Sequence, residues 1–131
     1  MVGVINRIIE DFKTDTPKEK EYIIFDVPYI YPKDISKIKD KDVLIIFFGY
    51  DSITGNELYE NIRKYENNYD WTKKIEDHEL RKKCHENVIF SKMLKKECEK
   101  YKILYFDTSK NRKEVLERVF NYIRKEVKKN D

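Results

Sequence analysis

Residues 43–48 form an unbroken apolar run, Val-Leu-Ile-Ile-Phe-Phe, closed by Gly49. No polar residue alternates within it, so neither face of a strand built from it is suited to water. That pattern belongs to a central strand of a parallel sheet covered by helices on both sides. Parallel neighbours need long crossovers, usually helical, and the chain has room for them before and after this run. Residues 22–25 (Tyr-Ile-Ile-Phe) and 103–106 (Ile-Leu-Tyr-Phe) are shorter β-prone runs and are read as two further strands.

Helical periodicity fills the intervals. Val4, Ile5, Ile8, Ile9 and Phe12 form one stripe, and Leu58, Tyr59, Ile62 and Tyr65 another. The third is the longest, running Leu80, Cys84, Val88, Ser91, Leu94 and Cys98 over residues 78–98. A final helix carries Val115, Leu116, Val119, Phe120, Ile123 and Val127, with Asn111 and Glu114 spaced as a capping box before it. Residues 34–38 suit a short helical turn, and Pro28 and Pro32 interrupt regular structure between the first two strands. The expected fold is α/β: a small three-layer sandwich with a mainly parallel sheet of about three strands flanked by helices. One domain over residues 1–131 is expected.

A chain of 131 residues and 16.1 kDa can bury about two thirds of its extended surface, enough for one real core. Lys and Arg number 28 against 25 Asp and Glu, a net charge of +3 with the signs intermixed. That is a weak field, so a nucleic-acid partner is not expected. Cys84 and Cys98 stand fourteen residues apart on one helix, about 21 Å, which excludes both a disulfide and a shared metal. No run is long and apolar enough to span a bilayer, and a reducing, cytoplasmic setting is the simplest expectation.

Three pieces in order resemble the C-terminal half of the P-loop kinases related to nucleoside and nucleotide kinases. Tyr22-Ile23-Ile24-Phe25-Asp26-Val27-Pro28 resembles their strand ending in an acidic residue and a proline turn. Residues 43–49 resemble the following strand, which leads to lid helices here carrying Arg63, Trp71 and Arg81 within about residues 55–98. The stretch from Lys96 through Tyr105-Phe106-Asp107-Thr108-Ser109 resembles the last core strand with its base-binding loop. The resemblance implies a partial P-loop NTPase-like fold. It implies ligand contacts at Asp26, Arg63, Arg81, Asp107 and Thr108.

One departure outweighs these matches. The only glycines are 3, 49 and 55, and no Gly-Lys-Ser or Gly-Lys-Thr occurs in the chain. Phosphoryl transfer in that family depends on positioning and neutralising the phosphates, which the missing loop performs. The expectation is therefore a degenerate, non-catalytic kinase-like protein with no catalytic residue and no cofactor of its own. It would act as a self-associating binding or regulatory module. The alternative is half of a nucleotide or nucleoside phosphotransferase whose partner chain carries the loop, and with it ATP and magnesium. In the resembled fold the missing strand lies between those matching residues 22–25 and 43–48, and an open apolar edge there invites pairing with a second chain.

The remaining candidates are interface and metal groups. Tyr29 and Tyr31 on the proline loop, and Trp71, are the aromatic interface candidates. His78 and His85 are two helical turns apart, about 10 Å, too far to share a tetrahedral zinc, so no metal is expected.

Overall fold

The computed structural model describes residues 2–15, 22–28 and 30–129. They fall into two compact units, Met1–Leu44 and Ile45–Asp131. In the first unit α1 spans Val2–Asp15 and α2 spans Pro32–Ile35. Ile5, Pro32, Ile35 and Ile38 are its buried residues. Pro32 opens α2, where its missing N–H costs nothing and its fixed φ already suits a helix. The N–H groups of Asp34 and Ile35 both close on the carbonyl of Tyr31. Lys13 of α1 bridges to Asp40 at 2.6 Å and Asp42 at 3.3 Å.

Residues 22–28 contain no strand, which corrects the expectation for 22–25. Ile24 is 93% exposed, and Tyr22, Ile23 and Phe25 are exposed with it. A continuous apolar run becomes a strand only where a neighbour takes its backbone groups, and no described residue does so here.

The second unit runs β1 (Ile46–Gly49), α3 (Gly55–Tyr65), a 3-10 turn (Trp71–Lys74), α4 (Asp77–Tyr101), β2 (Leu104–Asp107) and α5 (Arg112–Lys129). β1 and β2 pair in parallel, with Ile46 opposite Leu104 and Gly49 opposite Asp107. The mixed α/β character and the parallel pairing therefore stand, with two strands among the described residues where three were expected. β1 begins three residues later than the apolar run. Asp40 forms a turn that takes the N–H of Val43 on its carbonyl and that of Asp42 on its carboxylate, and the ladder starts beyond it.

Between the strands, α3 and α4 make the crossover and the core. Ile53, Leu58, Tyr59, Leu80, Cys84 and Val88 form one buried cluster, with Tyr50, Ile62 and Ile75 packed against it. All six residues of the expected α4 stripe, Leu80 to Cys98, are buried. Burying a Leu or Val of this kind stabilises by ~1.5–3 kcal/mol, and Leu80→Ala would cost ~2–5 kcal/mol. Helix α3 starts with a capping box, Thr54 accepting from the Glu57 N–H while Glu57 accepts from the Thr54 N–H. Its first residue must be small, since a Cβ on Gly55 would come within 2.8 Å of the His85 Cα on α4.

Helix α4 ends on Lys102 in the left-handed region, φ 56° and ψ 44°, and the Ile103 N–H returns to the Cys98 carbonyl at 2.9 Å. Asn111 also has positive φ, 51°, outside the extended conformation of an N-cap, so the expected capping box on α5 does not form there. Helix α5 buries Val115 and Val119. Leu116, Phe120 and Ile123, expected on the same buried side, are exposed. The α5 arc is wider than its packing surface against β2, so only one flank of the apolar arc is covered.

Candidate functional site

The loops that leave β1 and β2 lie at the carboxyl ends of parallel strands, where α/β folds gather ligand-binding groups. Register puts Gly49 beside Asp107. Gly49 offers its carbonyl to both the N–H (2.8 Å) and the hydroxyl (3.1 Å) of Thr108. The two loops are thereby locked together, and Thr108 is buried.

Two carboxylates occupy this end. Asp107 accepts from the hydroxyls of Ser52 and Ser109 and from the Ser109 N–H at 3.0 Å. Burial pushes its pKa up, but these donors outweigh it and hold the carboxyl below the usual range. The Ser52 N–H closes the ring by donating to the Ser109 hydroxyl at 3.2 Å. Asp51 accepts from the Tyr105 hydroxyl at 2.9 Å and from Lys95 of α4 at 3.1 Å. Burial, with Asp51 second, pushes the Tyr105 phenol well above its ordinary value, while the hydrogen bond to Asp51 raises Lys95. Both carboxylates are thus engaged by the protein's own donors.

Arg63 and Arg81 belong to a second cluster in this unit, both over the Tyr59 ring, with guanidinium carbons 5.6 Å and 3.9 Å from its centroid. Arg63 is held inside the connection between α3 and α4. It donates to the carbonyls of Thr72 (2.9 Å) and Ile75 (2.6 Å) and pairs with Glu66 and Asp77, both at 3.0 Å. Its Nε is buried with no acceptor among the described residues. The Glu66 side chain is 3% exposed, and it accepts from the Thr72 hydroxyl at 2.7 Å. That bond first, and Arg63 after it, lower the Glu66 pKa. An open depression lined by Arg63, Glu66, Lys73, Asp77 and His78 lies over the network. Arg81 is looser, meeting Asn56 at 3.5 Å and Glu60 at 3.9 Å.

The sequence-derived candidates thus fall into separate groups. Asp107 and Thr108 share the strand ends; Arg63 and Arg81 share Tyr59; Asp26 is exposed in the N-terminal unit. Tyr31 and Trp71 are exposed, and Tyr29 lies outside the described residues. Asp51, Ser52, Lys95 and Tyr105 had no sequence signal as a set, because the fold assembles them from three elements. The Asp51-Ser52 pair, separated from the first strand's glycine by Tyr50 alone, was the one local cue.

His78 meets Glu76 at 3.4 Å, and His85 packs on Gly55. Among the described residues no group of three His, Cys, Asp or Glu is placed to hold a metal ion. Cys84 and Cys98 are free and buried, and burial pushes the Cys98 thiol up to about 11. No described helix is long and apolar enough to cross a membrane. No protein-family model, curated protein or solved structure matches this chain.

Proposed function

We propose that this chain is a kinase-like binding or regulatory module that associates with a second copy of itself and does not transfer phosphoryl groups on its own. The engagement of Asp51 and Asp107 carries this reading. A magnesium-phosphate complex needs open carboxylates and a cradle of backbone N–H groups. Here the carboxylates are turned onto Ser52, Ser109, Tyr105 and Lys95, and no glycine-rich loop lies in these residues. The committed guanidinium of Arg63 supports the same reading, since it holds a loop together and leaves little of itself for a phosphate.

A second reading is favoured by one observation. The side of β1 away from β2 has no strand beside it among the described residues, and Phe48 of β1 itself is 47% exposed. The resemblance to P-loop kinases puts the missing phosphate-loop strand at that edge. In this reading a partner chain supplies the strand, and ATP with magnesium binds only to the pair.

Calorimetry with ATP and magnesium, beside light scattering of the same sample, tests both. The module reading expects a self-associated species that gives no heat with ATP. Tight ATP binding by the chain alone overturns it, and phosphoryl transfer that appears only on adding a loop-bearing partner moves the function to the second reading.

A further inference from the structure

The outer face of α5 is apolar along its length and is not covered by any element of its own unit. Leu116, Phe120 and Ile123 are 43%, 59% and 37% exposed, whereas Val115 and Val119 one flank away are buried. Spacings of four and three from 116 through 120 to 123 are those of a helix–helix seam. At 100° per residue Leu116, Phe120 and Ile123 fall within about 60° of one another. The open flank beside them carries Glu117 and Arg124, and neither has an ion-pair partner among the described residues; the Arg124 guanidinium lies over the Phe120 ring at 5.4 Å.

We propose that two copies of this chain dock through this face, with their α5 helices antiparallel and Phe120 beside the two-fold axis. The charges select that arrangement. Glu117 and Arg124 are placed evenly about a point between Phe120 and Asn121. Reversing one helix therefore sets Glu117 of each copy level with Arg124 of the other, and both pairs form at once, as a two-fold interface requires. In a parallel pair this flank would fall on opposite sides of the two helices, so Glu117 and Arg124 would meet neither each other nor their twins and neither ion pair would form. Docking moves Arg124 from the face of its own Phe120 to the opposing carboxylate and exposes that ring to its twin, an aromatic contact favoured when offset or tilted. One helix seam is small beside the ~800 Å² per partner of a standard interface, so the association is of the weak, concentration-dependent kind.

This inference rests on the self-association in the proposed function and names the surface responsible. The test is sedimentation equilibrium of the full chain over a range of concentrations. It compares the native chain with Phe120→Glu, Glu117→Arg, Arg124→Glu and the double reversal, each checked for folding by circular dichroism. A native dimer is expected, with Phe120→Glu monomeric throughout. Each single reversal weakens association about tenfold, and the double reversal restores it to within a few-fold. A native chain that is monomeric overturns both this inference and the self-association reading. A dimer indifferent to Phe120→Glu leaves that reading standing on another surface and overturns this one. A double reversal that fails to recover overturns the antiparallel arrangement.

Discussion

The Tyr105 ring lies across Gly49. A Cβ built on Gly49 would come within 2.8 Å of two ring carbons, and the hydroxyl beyond them ends on Asp51 at 2.9 Å. A strand position without a side chain is therefore the seat of an aromatic ring on the neighbouring strand, and the ring's tip arranges the loop.

Gly49→Ala is expected to push Tyr105 off its seat and break the bond to Asp51. Overpacking of this kind costs ~1–3 kcal/mol, read as a lower urea midpoint with unchanged slope. Gly3→Ala is the control, since nothing lies within 4 Å of a Cβ there and a helical glycine is being replaced. It should leave the midpoint unchanged or raise it, by at most ~1 kcal/mol.

Asp107 and Tyr105 give opposite ends of the pH profile. The Asp107 carboxyl is held low in the fold, so its contribution is complete above the ordinary carboxylate pKa of ~3.9 and is lost as pH falls below it. Tyr105 is held high, so its contribution is complete below ~10 and is lost as pH rises past that value. Urea midpoints taken from pH 2 to 11 should decline at both ends. Asp107→Asn should flatten the acid limb alone and Tyr105→Phe the alkaline limb alone.

Arg63→Lys keeps the charge but loses the fork that reaches Thr72, Ile75, Glu66 and Asp77 together. The expected result is a lower melting temperature, with amide exchange accelerated at residues 72–75 and little changed in β1 and β2. Uniform acceleration across the unit would show instead that the network supports the whole core.

Lys102→Gly should stabilise. A lysine at φ 56° carries the cost of the left-handed region, which glycine avoids, and nothing else at the cap changes. A gain of about 1 kcal/mol in thermal or urea unfolding is the expected outcome.

Much of this fold was legible where one periodicity ran long. The α4 stripe from Leu80 to Cys98 matches the buried face residue by residue, because a helix of that length leaves no ambiguity about phase. Residues 22–25 misled for the opposite reason: a short apolar run has no phase, and only a neighbour makes it a strand. On α5 the pattern was correctly apolar, but hydrophobicity does not say how wide a surface waits to cover it. Arg63 stood out in the sequence only as a ligand contact implied by the resemblance, and what it holds in the fold was illegible. Its main acceptors are backbone carbonyls nine and twelve residues ahead, and every residue type has one. The strand-end set needed β1, α4 and β2 already in place.

The way β1 ends also limits what any added strand could gain. Gly49 turns its carbonyl to Thr108, so Phe47 shares that side, and Ile46 and Phe48 point their backbone groups outward. The next outward N–H, that of Tyr50, already donates to the Ser91 hydroxyl on α4 at 2.9 Å. A visiting strand would find a rail only two residues long, with a helix serine standing as the buffer at its end. Whatever joins the molecule there must be held mainly by its side chains, and a mere β-forming peptide would slide off.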